Sequence, residues 1–237
     1  MSRQSPRFRL VGDRAVLVEY EQRIDPEVHF QVQQMVRLCR RELSGEIVEV
    51  ITAYCSFLII YDPLRTTPGA LQQRVVRLCE KKDELPPPAP RFIEIPVYYG
   101  GARGPDLAYV AEHNGLSQDE VVRLHSSSEY MVYMSGFTPG FPLLGGLNPK
   151  LWTPRRKTPR TSVPAGSVGI GNRQTGVYPF ESPGGWQVIG RTKLRLFDPG
   201  RDPMVLYRLG DRIQFRPIKE EAPVCKGSAG HAAEGLT

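Results

Sequence analysis

The feature that most restricts the fold is the punctuation of the second half of the chain. Beyond Glu129, glycine or proline returns every few residues between the short apolar runs YMVYM, SVGIG, GWQVIG, LRLF, MVLYRL and RIQFRPI. Proline removes a backbone donor and glycine weakens helices, so no long helix survives such spacing. Short strands joined by turns do, and the spacing points to a β-barrel or another β-rich unit.

The first third reads differently. Residues 8–20, FRLVGDRAVLVEY, predict two strands around Gly12-Asp13, because Val16, Val18 and Tyr20 alternate with Leu17 and Glu19. Asp25-Pro26-Glu27 combines a capping side chain, a first-turn proline and an acid at the positive end of a helix. Val28, Val32, Met35, Val36, Cys39 and Leu43 then recur on one helical face. The β-branched runs EIVEVITA and CSFLIIY follow. Thr67-Pro68 opens a second helix carrying Leu71, Val75, Leu78 and Cys79. The order β-β-α-β-β-α predicts an α+β domain with helices on one face of a small antiparallel sheet. A proline-rich break at 82–91, KDELPPPAPR, marks a stiff linker before the strand FIEIPVYYG. Expected boundaries are 1–90, 91–218 and a disordered tail at 219–237, where periodicity stops.

The chain's 237 residues allow one or two domains and a core that needs no staples. With 40% hydrophobic and 24% charged residues it is not a mainly disordered chain. No apolar stretch approaches the ~18 residues of a spanning helix, and MSRQSPRFRLVGDR lacks the apolar core of a secretory signal. Cys39, Cys55, Cys79 and Cys225 show neither C-x-x-C nor zinc-like spacing, so buried free thiols and a cytoplasmic location are expected.

The net charge of +6 is localised. Between Glu129 and Glu181 there is no acidic residue, while Lys150, Arg155, Arg156, Lys157, Arg160 and Arg173 account for the whole excess. Such a stretch is either a solvated loop or a surface for an anionic partner. Nucleic acid is not the expected one: LAYVAEHNGLSQDEVVRLH resembles a helix-turn-helix, but Asp119 and Glu120 would meet phosphates at the start of its second helix. The stretch Gly185–Thr192 nearly spells a phosphate loop, yet its β-forming residues and the LRLFDP that follows exclude the strand–loop–helix that mechanism needs.

Several residues remain as candidates. Phe137 and Phe141, in SGFTPGFP, are either core plugs or the wall of a pocket. Gln174, Thr175, Tyr178, Ser182, Trp186, Arg191 and Thr192 set hydroxyls, an amide and a guanidinium on a turn-rich scaffold, suited to a small polar ligand. Arg160 and Arg191 can each hold a carboxylate or phosphate through two bonds. His125 is either a proton carrier or a helix C-terminal residue favoured by the dipole. No motif of a self-sufficient hydrolase or metal centre is present, so no metal ligands are assigned and the site is expected to be completed by a partner.

The strings GF-x-PGFP-x-LGG and TGVYP-x-x-SPGGWQ-x-IGRT, with GDRAVLVEY, AYCSFLIIYDP and LRLFDPGRDPMVLYRLGDRIQF, resemble the KipI/PxpB family, also called allophanate hydrolase subunit 1, over residues 8–218. The resemblance implies a small ferredoxin-like α+β N-terminal domain followed by a cyclophilin-like β-barrel domain. It also implies one component of an ATP-dependent 5-oxoprolinase, inactive alone, that works with a PxpC/KipA-type subunit and a PxpA (LamB/YcsF-type) subunit. ATP would be the co-substrate, 5-oxoproline the substrate, and Mg²⁺ would take its ligands from a partner. Within the family motifs, Arg160, Gln174, Tyr178, Ser182 and Arg191 are the expected ligand contacts, and Phe137, Phe141 and Trp186 the pocket wall. Two other roles known in the family stand as alternatives: inhibition of a sensor histidine kinase, and a carboxyltransferase component acting on a urea-derived substrate.

Overall fold

The computed structural model describes residues 6–81 and 88–219. From Val16 onward, burial alternates along Ala15–Glu19 (β2), with Val16 and Val18 buried and Leu17 and Glu19 less so. The strand pairs with Arg7–Val11 (β1) on one side and Ser56–Tyr61 (β4) on the other, and Ile47–Thr52 (β3) completes a fully antiparallel sheet in the order β1-β2-β4-β3. Two helices, Pro26–Glu42 (α1) and Pro68–Glu80 (α2), cover one face. The Asp25 carboxylate caps α1 by accepting from the backbone N–H groups of Glu27 and Val28 at 2.9 and 3.2 Å. Val18, Phe57 and Ile59 of the sheet meet Val32, Met35 and Cys39 of α1 and Leu71 of α2 in one core. Burial there pushes the Cys39 thiol up to about 12. Cys55 and Cys79 differ from the expected burial and are only half-buried, because each sits at the end of an element. Cys225 and residues 220–237, where the tail was expected, lie outside the described residues, as do residues 82–87 of the proline-rich break.

The remainder is built around a barrel. Its strands are Phe92–Tyr99 (β5), Glu129–Ser135 (β6), Pro142–Gly145 (β7), Ser167–Gly171 (β9), Gln174–Val177 (β10), Gln187–Arg191 (β12) and Arg212–Pro217 (β13). They close in the order β10-β7-β6-β13-β5-β12-β9, and β13 lies parallel to β5. Arg160–Val163 (β8) and Ser182–Gly184 (β11) form a separate two-stranded sheet. The helix pair Leu107–Asn114 (α3) and Gln118–Ser126 (α4) packs against β12 and β13. In α4, Ser117 and Glu120 exchange bonds in a capping box, so that carboxylate serves the helix start. The second core holds Ile95, Val97, Tyr130, Val168, Ile189 and Phe215. Contacts that join the barrel to the N-terminal unit include Gln174 Nε2 donating to Tyr54 Oη at 2.7 Å, the His29 ring edge-on to Tyr133 at 4.9 Å and Tyr54 against Tyr133 at 6.1 Å. No helix among the described residues is long and apolar enough to cross a membrane.

Candidate functional site

Where β12 ends, the chain runs against the turn that precedes β9. Thr192 N–H donates to Gly166 O at 2.9 Å, and Gly166 N–H to Tyr178 O at 2.7 Å. Only glycine fits at 166, since its φ is +78° and a Cβ would stand 2.1 Å from Thr192 O. This close approach forms the edge of a cleft of about 380 Å³. Among the described residues four cations line it, Arg103, Arg191, Lys193 and Arg195, and no carboxylate does. Arg103 lies over the Tyr98 ring at 4.1 Å and Lys193 at 5.6 Å, so one aromatic face gathers two charges. Arg191 Nε donates to Ala165 O at 2.7 Å, which fixes the guanidinium plane and leaves the terminal nitrogens for another partner. Thr192 Oγ1 accepts from Leu194 N–H at 3.1 Å. Chemically, cations set this way on a fixed backbone are suited to an anion.

The other arginine candidate is engaged within the chain. Arg160 grips Asp106 through two 2.8 Å bonds, Nη1 to Oδ2 and Nη2 to Oδ1. The Asp106 carboxylate also accepts from Val188 N–H at 2.6 Å and from Arg156 Nη1 at 3.3 Å. Arg160 therefore holds a carboxylate, as its chemistry suggested, but that carboxylate belongs to this chain and ties the start of α3 to β12.

The aromatic candidates do come together. Phe141 packs edge-to-face on Tyr178 at 5.1 Å and on Trp186 at 5.4 Å, and all three are buried. Burial raises the Tyr178 pKa, opposed by the Trp186 backbone and by Arg155 and Arg160. Phe137, by contrast, is 70% exposed at a φ of +74° and touches this cluster only through Phe141. Ser182 Oγ is buried without a hydrogen-bond partner. Gln174 is turned toward Tyr54, away from the cleft.

Thr175 and His125 lie inside the barrel. Thr175 Oγ1 donates to Gly169 O at 2.9 Å, so it accepts from His125 Nε2 at 2.9 Å, and His125 Nδ1 accepts from Tyr99 Oη at 2.8 Å. That chain of bonds sets the neutral Nε2–H tautomer. Burial pushes the His125 pKa down to about 3, and the ring stacks on Phe215 at 4.6 Å. Both ring nitrogens are engaged, neither with a group that faces solvent.

Of the ten ligand-binding candidates, then, only Arg191 and Thr192 line the cleft. Sequence reasoning passed over Tyr98, Arg103, Lys193 and Arg195. A signal for two of them was present: Arg191, Lys193 and Arg195 alternate at the period of an extended chain, which places all three on one side. Asp106 had no such signal, because its partners arrive from 50 or more positions away. Among the described residues no group of three or more His, Cys, Asp or Glu side chains converges as a metal cage requires. The cationic cleft does not fit a divalent ion.

The succession of a small α+β sheet and a closed barrel is shared with known proteins. Residues 6–207 match the family described as carboxyltransferase domain, subdomain C and D. The B-type subunit of 5-oxoprolinase from Escherichia coli O157:H7 is 49% identical over 219 residues, covering 92% of this chain and 98% of that protein. Its counterpart of the same name from Bacillus subtilis (strain 168) is 39% identical over 225 residues, covering 89% and 92%. The solved structure of TTHA0988 superposes with a TM-score of 0.76 at 34% identity, covering 89% of this chain and 41% of that longer one. The chain belongs to the PxpB (KipI) family of 5-oxoprolinase subunits. The expected succession of α+β unit and closed barrel is borne out.

Proposed function

We propose that the chain supplies the anion-holding wall of a composite site in an ATP-dependent 5-oxoprolinase, completed by a PxpC/KipA-type subunit and served by a PxpA-type subunit. The observation that carries this reading is the cleft lined by Arg103, Arg191, Lys193 and Arg195, with no carboxylate among the described residues that line it. In the proposed step the lactam oxygen attacks the γ-phosphorus of ATP. The bond to the β-phosphate oxygen breaks, ADP leaves, and the lactam N–H proton passes to solvent to give a phosphorylated imidate; one water adds at its carbon and the ring C–N bond breaks, leaving an acyl phosphate and a free amine, and a second water releases inorganic phosphate to give glutamate. Negative charge sits on the transferring phosphoryl oxygens throughout, and fixed guanidinium groups stabilise it without reorganising. Arg191 is the group best placed to do so, because Ala165 O already orients it. Phe141, Tyr178 and Trp186 give the neighbouring wall its stiffness, and Arg160 acts as a positioning residue through Asp106. Any Mg²⁺ accompanying ATP takes its protein ligands from a partner in this reading.

Reconstitution with the two partners tests it. ATP turnover is expected only when 5-oxoproline is present, and Arg191→Ala is expected to lower kcat/KM by roughly 10²-fold with the fold intact. Equal ATP hydrolysis with and without the lactam, or full activity in the Arg191 variant, overturns the assignment.

A further inference from the structure

The N-terminal sheet has a face that neither of its helices covers. Val16, Val18, Phe57 and Ile59 join the core under α1 and α2, so the residues that alternate with them along β2 and β4 point the other way. Strand pairing sets those outward residues in rows. Arg9, Leu17, Leu58 and Ile51 stand side by side across β1, β2, β4 and β3. The next row is Val11, Ala15, Ile60 and Glu49. The two middle strands therefore present an aliphatic surface. Leu17, Leu58 and Ile60 are only half-buried although they lie on central strands, and Val11 and Ile51 at the margins are 44% and 46% exposed. A contiguous apolar face of this kind marks an interaction site more often than idle surface.

Charge is distributed unevenly around it. On the β1 margin, Arg7 and Arg9 share the face with Val11, since they alternate along the strand. On the β3 margin the charged residue is Glu49, which is exposed. Arg9 Nη1 lies 3.8 Å from a Glu19 carboxylate oxygen, but its side chain is 71% exposed, so water screens that pair. One margin is thus basic, the other acidic, and the ground between them aliphatic.

Such a face is complementary to itself. Two copies stacked face to face about a two-fold axis parallel to the strands place β1 of each over β3 of the other. Leu17 then meets Leu58 of the second copy, and symmetry repeats the contact. Arg9 comes beside Glu49 of the second copy, again twice. The other face-to-face two-fold, perpendicular to the strands, lays β1 on β1 and brings the arginines together, which is unfavourable. Sheets stack ~10 Å apart, a spacing that interdigitated leucine side chains fill.

We propose that this sheet face is a two-fold interface between two copies of the chain, with Leu17 and Leu58 at its centre and the Arg9 and Glu49 margins opposed. Four short strands give a small contact, so a monomer–dimer exchange follows rather than a permanent dimer. The face lies on the N-terminal sheet and the Tyr98 cleft on the barrel, so the inference holds whether or not that cleft serves the lactam.

Sedimentation velocity of the full chain without companion subunits, from low to several hundred micromolar, tests it. A concentration-dependent dimer is expected. Ile51→Lys and Glu49→Arg, both at exposed positions, are each expected to weaken it about tenfold with the circular dichroism spectrum unchanged. Arg9→Glu combined with Glu49→Arg is expected to restore most of the affinity, because exchanging the signs keeps the margins opposite. A monomer at every concentration, a dimer that Ile51→Lys and Glu49→Arg leave unchanged, or no recovery in the combined variant overturns the proposal. So does a chain that dimerises only after residues 1–5 or 220–237 are removed, which would give the face to one of those segments. Binding of a PxpC/KipA-type subunit that Ile51→Lys abolishes, with the unsubstituted chain monomeric, would give the face to that subunit and overturn it equally.

Discussion

At the scale of single residues, two buried histidines make the chain sensitive to acid. Burial holds His125 at about 3 and His29 at about 4, against 6.5 in the unfolded chain, with the Tyr54 backbone partly opposing the shift at His29. Protonation therefore favours the unfolded state. Their contribution to stability is complete above pH 6.5 and is lost as pH falls toward 4 for His29 and 3 for His125. Within that window each removes about 1.4 kcal/mol per pH unit. The urea midpoint is expected to fall steadily between pH 7 and pH 5, and His125→Gln to make that slope shallower; equal slopes would remove His125 as a cause. Asp106 makes a second case. Its carboxylate is buried, and it joins Arg160, Arg156 and Val188 N–H. Replacing Arg160 by Met leaves that carboxylate with its weaker partners, and a loss of about 3 kcal/mol is expected in thermal denaturation. Asp106→Ala, which removes the charge itself but strands the Val188 donor, is expected to cost less than Arg160→Met.

At the scale of elements, local chemistry sets the helix starts and backbone proximity sets the cleft. The Ser117–Glu120 capping box satisfies the first turn of α4, and the same bonds hold the Glu120 carboxyl below its ordinary pKa. Ser117→Ala is expected to cost about 1 kcal/mol, read in the unfolding free energy. Gly166→Ala is a harsher change. A left-handed backbone and a Cβ pressed on Thr192 O force β12 and the turn before β9 apart, so a loss well above ~1 kcal/mol is expected, together with weaker anion binding in the cleft. The capping box is readable from Ser-x-x-Glu. The demand at Gly166 is not, because it arises from a strand that follows 21 positions later and closes on it only in the barrel.

At the scale of the whole molecule, one large hydrophobic core lies under the N-terminal sheet and another within the barrel, with the smaller Phe141–Tyr178–Trp186 cluster besides. We propose that residues 1–90 and 91–218 behave as two cooperative units joined through contacts that include Gln174–Tyr54 and His29–Tyr133. Scanning calorimetry is expected to resolve two transitions. Val32→Ala, which empties volume in the first core alone, should lower one of them by an amount equivalent to a few kcal/mol and leave the other in place. A single transition shifted as a whole would show that the two cores unfold together.

The sequence alone determined the elements and their order. Alternation in β2, the proline-opened helices and the Gly/Pro punctuation beyond Glu129 are short-range patterns, and short-range patterns are what backbone sterics and amphipathicity respond to. It also located the basic surplus and put forward Arg191 and Thr192, two candidates that line the cleft. The tertiary structure decided which charges stay available. Arg160 and Arg191 are alike in sequence, yet one meets Asp106 from 54 positions away and the other, among the described residues, bonds to the Ala165 carbonyl, so one is locked and one faces the cleft. His125 likewise became a barrel-core residue only when Thr175, 50 positions on, arrived to fix its proton. Ion pairs and buried hydrogen bonds join residues that chain closure brings together, and no local pattern encodes which partner will be there.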